Sequence, residues 1–154
     1  MAAEERERRT LENNNATPSA RKYKYDFFFS YSSKDAAIVR AVRCFLENSG
    51  YSCCILPECL DPGTNYDESL IDAIEQSKAF FFFYSENANE SRWQLSEELK
   101  IAKYHQKRIL PILLDRSLMS DQLENILFTY QYFDLTDREN MKMLALVARQ
   151  FLTE

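Results

Sequence analysis

AFFFFY, at residues 79–84, is apolar at every position before its tyrosine and carries no charged side chain. A second aromatic run, YDFFFSY, occupies residues 25–31. Successive side chains of a strand point to opposite sides of a sheet, so a strand of consecutive apolar residues must be buried on both faces. The two runs therefore indicate central strands of a parallel sheet that is covered by helices on both faces.

Strand and helix patterns alternate along the rest of the chain. Three more strands are predicted, at residues 51–56 (YSCCIL), 108–114 (RILPILL) and 129–135 (TYQYFDL). Apolar residues at helical spacing predict five helices, over residues 34–49, 67–76, 90–106, 118–127 and 137–152. Such alternation predicts an α/β fold, and its commonest five-stranded form is the flavodoxin-like parallel sheet with strand order 2-1-3-4-5.

The composition excludes several kinds of functional site. Gly50 and Gly63 are the only glycines, so the chain cannot form a P-loop or a dinucleotide-binding fingerprint, each of which needs several glycines close together. His105 is the only histidine and the four cysteines form no C-x-x-C pair, so we expect no metal site. A formal net charge of -5 disfavours nucleic acid as a partner.

The first 24 residues differ in composition from the rest of the chain. They carry six basic and four acidic side chains and few large apolar ones, so burial cannot offset their chain entropy. We predict a flexible charged arm at residues 1–24 and one folded domain at residues 25–154. The sequence contains neither a signal peptide nor an apolar run near the ~20 residues that cross a bilayer, so we expect a cytoplasmic protein with reduced cysteines and no membrane contact.

The predicted strand order places a ligand site. Ligands of open α/β sheets bind outside the carboxyl ends of the strands, where the strand order reverses, which here lies between strands one and three. Three segments follow the first three strands and should converge there: SYSSKD (30–35), PECLDPGTNY (57–66) and ENANESRW (86–93).

Trp93 and Glu97 are the most informative pair in these segments. They are four residues apart on a predicted helix that is capped by Ser91, with Gln94 three residues on, so they share one helix face. An indole and a carboxylate placed in this way can hold a base and the hydroxyls of its sugar. Spacing alone also allows Glu97 to be a solvated charge and Trp93 an aromatic at the edge of the core. Glu98 is rotated by about 100° and is predicted to face solvent.

The segments together resemble a TIR (Toll/interleukin-1 receptor) domain. Four motifs occur in the order and spacing of that family, and the resemblance spans about Tyr25 to Leu152; they are YDFFFSYSSKD (25–35), LDPGTNYDESLIDAIEQS (60–77), AFFFFYSENANESRWQLSEEL (79–99) and RILPILL (108–114).

The resemblance implies an enzyme that cleaves NAD+ at the nicotinamide–ribose bond. Enzymatic TIR domains often carry S-x-W-x-x-x-E on the helix after the third strand, which here matches Ser91, Trp93 and Glu97 and implies that Glu97 is the catalytic residue. NAD+ would then be the substrate, with no separate cofactor, and give ADP-ribose or a cyclic isomer. The implied substrate contacts are Tyr31, Ser32, Asp61, Gly63, Tyr66, Ser91 and Trp93.

The pattern is most similar to stand-alone prokaryotic TIR NADases of antiphage defence, Thoeris-like systems included. Such enzymes self-associate through TIR–TIR contacts, and their nucleotide product signals to a separate effector. The main alternative is a non-enzymatic TIR adaptor or scaffold, either in signalling or as a virulence mimic. A phosphoacceptor receiver on the same fold is disfavoured, because Tyr84 and Ser85 stand where it needs an aspartate at the end of strand three.

Overall fold

The computed structural model describes residues 23–153. Its five strands form one parallel sheet with the order β2-β1-β3-β4-β5, so the predicted α/β fold and strand order are confirmed. The strands are β1 (Tyr25–Ser30), β2 (Cys53–Cys54), β3 (Ser77–Tyr84), β4 (Arg108–Leu113) and β5 (Phe133–Asp134). Most of the predicted N-terminal arm, residues 1–22, lies outside the described residues.

Six α-helices occur among the described residues. They are α1 (Ala36–Asn48), α2 (Tyr66–Glu75), α3 (Glu86–Glu90), α4 (Arg92–Tyr104), α5 (Asp121–Leu127) and α6 (Met141–Thr153). Short 3₁₀ helices at Ser33–Asp35 and Arg138–Asn140 precede α1 and α6. No helix of residues 23–153 combines the length and apolar character that a bilayer crossing requires.

The aromatic runs divide between two cores, one on each face of the sheet. Phe27 and Phe81 stack at 4.2 Å between ring centroids on the face that α1 and α6 cover. Phe28 and Phe80 stack at 5.4 Å on the opposite face, which α2, α4 and α5 cover. The register of the two strands pairs Phe28 with Phe80 and Phe29 with Phe81, so aromatic rings meet across the ladder on both faces.

The two edge strands are shorter than predicted. Strand β2 pairs only at Cys53 and Cys54, since the chain then turns at Leu56 and Pro57, and proline has no N–H to continue a ladder. Strand β5 pairs only at Phe133 and Asp134. An edge strand has a ladder partner on one side alone, so an apolar sequence pattern overstates its paired length.

The prediction that all the cysteines are reduced is wrong. Cys54 and Cys59 form a disulfide with their Cα atoms 5.5 Å apart, whereas Cys44 and Cys53 are free thiols. Cys54 is fully buried, as a small core residue should be. The turn after β2 returns the chain toward the strand and brings Cys59 to it. A prediction based on the cellular compartment takes no account of this local geometry.

The helix that carries Trp93 begins within two residues of its predicted start, but the predicted cap at Ser91 is wrong. Helix α4 begins at Arg92, and Ser91 makes no side-chain capping bond. Instead the short helix α3 comes first, and Ser85 Oγ caps it by accepting a hydrogen bond from the Ala88 N–H at 3.0 Å. The backbone N–H of Ser91 bonds to carbonyls of α3, so α4 follows almost directly. Gln94 is therefore not engaged in a capping box.

Removal of a central aromatic ring should greatly lower the stability of the domain. Phe81 is fully buried and stacks on Phe27, so Phe81→Ala is expected to lower the free energy of unfolding by ~3–5 kcal/mol. Phe128→Ala is the matched control, since that ring is exposed and should cost within ~0.5 kcal/mol. Urea denaturation followed by circular dichroism measures both. Equal losses would contradict this assignment of the core.

Candidate functional site

A cleft of about 140 Å³ lies beyond the carboxyl end of β1. The three segments that follow the first three strands meet there, as predicted. Its walls are formed by Phe28, Phe29, Tyr31, Ser32, Ser33, Leu56, Tyr66, Ser91, Gln94 and Glu98. These residues include one carboxylic acid, Glu98, and no lysine, arginine or histidine. The carboxyl group therefore has no cationic side chain beside it in the cleft lining.

Hydrogen bonds between the segments hold the cleft in shape. The Tyr31 hydroxyl donates to the Leu56 carbonyl oxygen at 3.4 Å, which ties the first segment to the chain after β2. Asp35 ties the first segment to the third, because its carboxylate accepts from Ser85 Oγ and from Asn87 Nδ2, the latter at 2.9 Å. The cleft therefore has walls from three parts of the chain that are fixed to one another.

Glu98 is the carboxyl group in this cleft. Only 5% of the residue is exposed, because it lies on the buried face of α4 with Leu95, Leu99 and Ala102. Burial raises the pKa of Glu98 from 4.5 to about 7, while the neighbouring polar side chains of Ser30 and Gln94 act in the opposite direction. A carboxyl group that titrates near neutrality inside a cleft is a common feature of catalytic sites.

Ser30 lies beside that carboxyl group at the end of β1. Its hydroxyl is fully buried and lowers the pKa of Glu98, yet Ser30 Oγ makes no hydrogen bond of standard geometry to any residue of the described chain. Ser32, the next polar residue along, is almost buried, and its Oγ accepts from the Lys34 N–H at 3.3 Å. The floor of the cleft thus combines hydroxyl groups with the Glu98 carboxyl.

The predicted position of Glu97 is wrong. Its side chain is 69% exposed and lies 3.3 Å from Lys100 Nζ, outside the cleft. Trp93 is 70% exposed and does not line the cleft either. The pair that faces the cleft at four-residue spacing is Gln94 and Glu98, each one residue further along the helix and so rotated by about 100°.

A signal in the sequence could have found Glu98. Leu95, Leu99 and Ala102 are the apolar residues of α4 at the i, i+4, i+7 spacing of a buried stripe. Glu98 stands at i+3 in that stripe and is therefore the charged residue forced inward. The S-x-W-x-x-x-E pattern is defined by spacing along the chain, whereas the position of a residue around the helix decides whether its side chain is buried.

Some of the other predicted substrate contacts line the cleft and some do not. Tyr31, Ser32, Tyr66 and Ser91 line the cleft. Asp61 and Gly63 do not, since both lie in the exposed loop between β2 and α2, where the Asp61 carbonyl accepts from Thr64 Oγ1 at 2.8 Å. Gly63 adopts a φ of 81°, a conformation that favours glycine. Among residues 23–153, no three His, Cys, Asp or Glu side chains are grouped to hold a metal ion.

Comparison with known proteins gives a consistent result. A family model described as TIR domain matches residues 27–147. No curated protein matches the sequence. The TIR domain of the Toll-related receptor TRR-2 from Hydra magnipapillata has 20% identity and a TM-score of 0.70, with 85% of this chain and 100% of that chain covered.

Two further structures share the fold. A TIR-STING receptor from C. gigas, solved in complex with 2',3'-cGAMP, has 24% identity and a TM-score of 0.67, with 82% of this chain and 40% of that chain covered. A CMP N-glycosidase from Clostridium botulinum has 16% identity and a TM-score of 0.54, with 77% of this chain and 98% of that chain covered. At these identities the likeness establishes the fold alone.

The buried carboxyl group should make stability depend on pH. The folded pKa of Glu98 exceeds its unfolded value, so the stability it contributes is fully present below about pH 4.5 and is lost as pH rises through about 7. Glu98→Gln lacks this loss. The free energy of unfolding of Glu98→Gln, relative to that of the wild type, should therefore increase by up to ~3 kcal/mol between pH 4.5 and pH 8.

Urea titrations at pH 4.5, 6 and 8 measure this difference. Glu97→Gln is the matched control, because its exposed side chain should leave the pH dependence of the wild type unchanged. An identical pH dependence in Glu98→Gln and the wild type would contradict the burial of the Glu98 carboxyl.

Proposed function

The chain belongs to the TIR-domain family, and from that premise we propose that it is an NAD+ glycohydrolase or cyclase with Glu98 as its catalytic residue. The observation that carries this proposal is the single buried carboxyl group in a cleft otherwise lined by aromatic, aliphatic and neutral polar side chains. NAD+ is the substrate in this proposal, and no further cofactor takes part.

The lining of the cleft suits the nicotinamide riboside end of the dinucleotide. Its walls combine aromatic side chains with serine hydroxyls, an amide and one carboxyl group, which can hold an aromatic base and the hydroxyls of its sugar. Tyr31 and Tyr66 offer aromatic surface for the nicotinamide ring. The phosphates would remain outside the cleft, and the nearest cation along the chain is Lys34, which follows Ser33 of the cleft wall and forms an exposed ion pair with Glu90 at 2.9 Å.

Departure of nicotinamide explains the need for a carboxylate. As the glycosidic C–N bond breaks, its electron pair leaves with the ring nitrogen and positive charge develops at the anomeric carbon, as in glycoside hydrolysis. Ionised Glu98 stabilises that charge and accepts hydrogen bonds from the ribose hydroxyls. Nicotinamide leaves as a neutral molecule and needs no acid. Attack by water then gives ADP-ribose and releases a proton, whereas attack by another atom of the same nucleotide gives a cyclic product.

Self-association is part of the same proposal. Members of the family associate through their TIR domains, and we place the exposed loop between β2 and α2 at such a contact because it carries Asp61 and Gly63 outside the cleft. The nucleotide product would act as a signal to a separate effector in innate immunity, including antiphage defence, with the enzyme in the cytoplasm.

One observation favours a second candidate, a non-enzymatic TIR adaptor. Leu118, Phe128 and Tyr132 are exposed around an apolar groove of about 300 Å³ that includes Leu127. Exposed apolar patches commonly mark protein-binding surfaces. An adaptor would need this surface and no chemistry in the cleft, so the two candidates differ in the effect of changing Glu98.

Glu98→Gln tests the catalytic role. Nicotinamide release from NAD+ should fall by at least ~100-fold, because the variant cannot carry the charge that stabilises the transition state. Chromatography of nicotinamide and nucleotide products measures the rate, with purified protein at high concentration to favour assembly. CMP serves as a comparison substrate.

Glu97→Gln is the control and should change the rate by less than a few fold. A large loss in Glu97→Gln with none in Glu98→Gln would contradict the assignment of the carboxylate. If the wild type releases no nicotinamide in an assembled state, the adaptor is the better conclusion.

The wild-type rate should also depend on pH. The ionised form of Glu98 is the active one and its pKa in the free protein is about 7, so kcat/KM should rise with pH through neutrality and level off near pH 8–9. A pH–rate profile measures the midpoint. A rate that falls across this range would indicate that the protonated carboxyl is the active form.

A further inference from the structure

Two arginines of α1 converge on one carboxylate from the loop after β2. Arg40 Nε and Nη2 donate to Glu58 Oε1 at 3.2 and 2.7 Å, and Arg43 Nη1 donates to Glu58 Oε2. Arg40 and Arg43 are three residues apart on α1 and so share one face of that helix. Both guanidinium groups therefore bind a single anion, and each contacts one of its two oxygens.

The arginine pair lies beside the cleft. The Tyr31 hydroxyl donates to the Leu56 carbonyl oxygen at 3.4 Å, and both of these residues line the cleft. Glu58 follows Leu56 by two residues along the loop. Burial raises the pKa of the Tyr31 hydroxyl, and the charges of both arginines also act on it. The two guanidinium groups are therefore within electrostatic range of a cleft wall whose lining contains no cation.

The Glu58 carboxylate is an occupant that another anion can replace. Its side chain is 40% exposed and that of Arg40 is 50% exposed, and ion pairs of this exposure add little to stability. The backbone beside it is held in place, because the Cys59 carbonyl accepts from the Tyr25 hydroxyl at 3.3 Å and the Cys59 N–H donates to the Ile55 carbonyl at 3.1 Å. Rotation of the Glu58 side chain alone is therefore sufficient to free the two guanidinium groups.

The donors that bind this carboxylate are also suited to phosphate. A planar guanidinium group presents its N–H donors in a fork that fits two oxygens of either anion, and arginine is the usual residue where such recognition is needed. A diphosphate carries more negative charge than the single carboxylate of Glu58. It can therefore bind two guanidinium groups more strongly than the side chain that it displaces.

We propose that Arg40 and Arg43 form a subsite for the phosphate groups of a nucleotide ligand, whose occupant in this structure is the chain's own Glu58 carboxylate. The subsite holds the diphosphate of NAD+ while the nicotinamide riboside end enters the cleft, and this assignment of the ligand rests on the proposed function. The affinity of the pair for phosphate does not. Exchange of the carboxylate for phosphate breaks no covalent bond, and it supplies the positive charge that the cleft lining lacks.

Binding of ADP-ribose, measured by isothermal titration calorimetry, tests the subsite without turnover. The Kd should rise about tenfold in Arg40→Gln and in Arg43→Gln, because each variant loses a charged hydrogen bond to phosphate. Glu58→Gln should bind about threefold more tightly than the wild type, since the competing charge is removed, and a folding defect cannot produce such a gain. Arg116→Gln and Glu139→Gln are the matched controls, because they make the same charge changes in exposed ion pairs at and just after β5, the opposite edge of the sheet from β2.

Kinetics give a second readout. The KM of Arg40→Gln for NAD+ should rise about tenfold with kcat nearly unchanged, because the subsite binds the phosphates equally in the ground state and the transition state.

Several outcomes would overturn the inference: an unchanged Kd in both arginine variants, weaker or absent binding in Glu58→Gln, or equal changes in the controls. If the arginine variants weaken ADP-ribose binding but the wild type cleaves no NAD+, the inference stands and the proposed function fails. If the wild type cleaves NAD+ with a KM that Arg40→Gln leaves unchanged, the inference fails and the proposed function stands.

Discussion

Burial of aromatic rings on both faces of β1 and β3 is the constraint on which the rest of the structure depends. Phe27 and Phe81 face one layer of helices, and Phe28 and Phe80 face the other. Each buried ring contributes roughly 1.5–3 kcal/mol only if helices exclude water from its side of the sheet. Both helix layers are therefore required. The chain segments that lead to these helices begin at the carboxyl ends of β1 and β3, on one edge of the sheet.

The same constraint creates the cleft. The segments after the first three strands leave the sheet at one edge and must separate to reach helices on opposite faces, which opens the space that Tyr31, Leu56 and Ser91 line. Hydrogen bonds from Tyr31 and Asp35 then fix the segments relative to one another. The rigid sheet thus supplies the position of the site, and the segments supply its chemistry.

Glu98 reduces the stability of this arrangement at neutral pH. A carboxyl group replaces an apolar residue on the buried face of α4, and its ionisation is opposed by the same burial that stabilises Leu95 and Leu99 beside it. Ser30 and Gln94 offset part of that cost without a cation. A buried carboxyl group that is kept in a cleft at the expense of stability is expected of a functional residue, since activity and stability often conflict at such sites.

The sequence by itself determined the fold class, the strand order and the region of the site. Runs such as AFFFFY and the regular alternation of periodicities depend on local side-chain patterns, which the sequence displays directly. The resemblance to TIR domains implied Tyr31, Ser32, Tyr66 and Ser91 as substrate contacts, and the strand order predicted that their segments converge. All four line the cleft.

Only the tertiary structure decided which glutamate enters the cleft. Glu97 and Glu98 are adjacent and chemically identical, so a rotation of about 100° around α4 separates an exposed side chain from a buried one. That rotation is set by Leu95, Leu99 and Ala102 packing against the sheet, together with the short helix α3 that sets where α4 begins. The Cys54–Cys59 disulfide likewise depends on the turn after β2, which returns Cys59 to the strand.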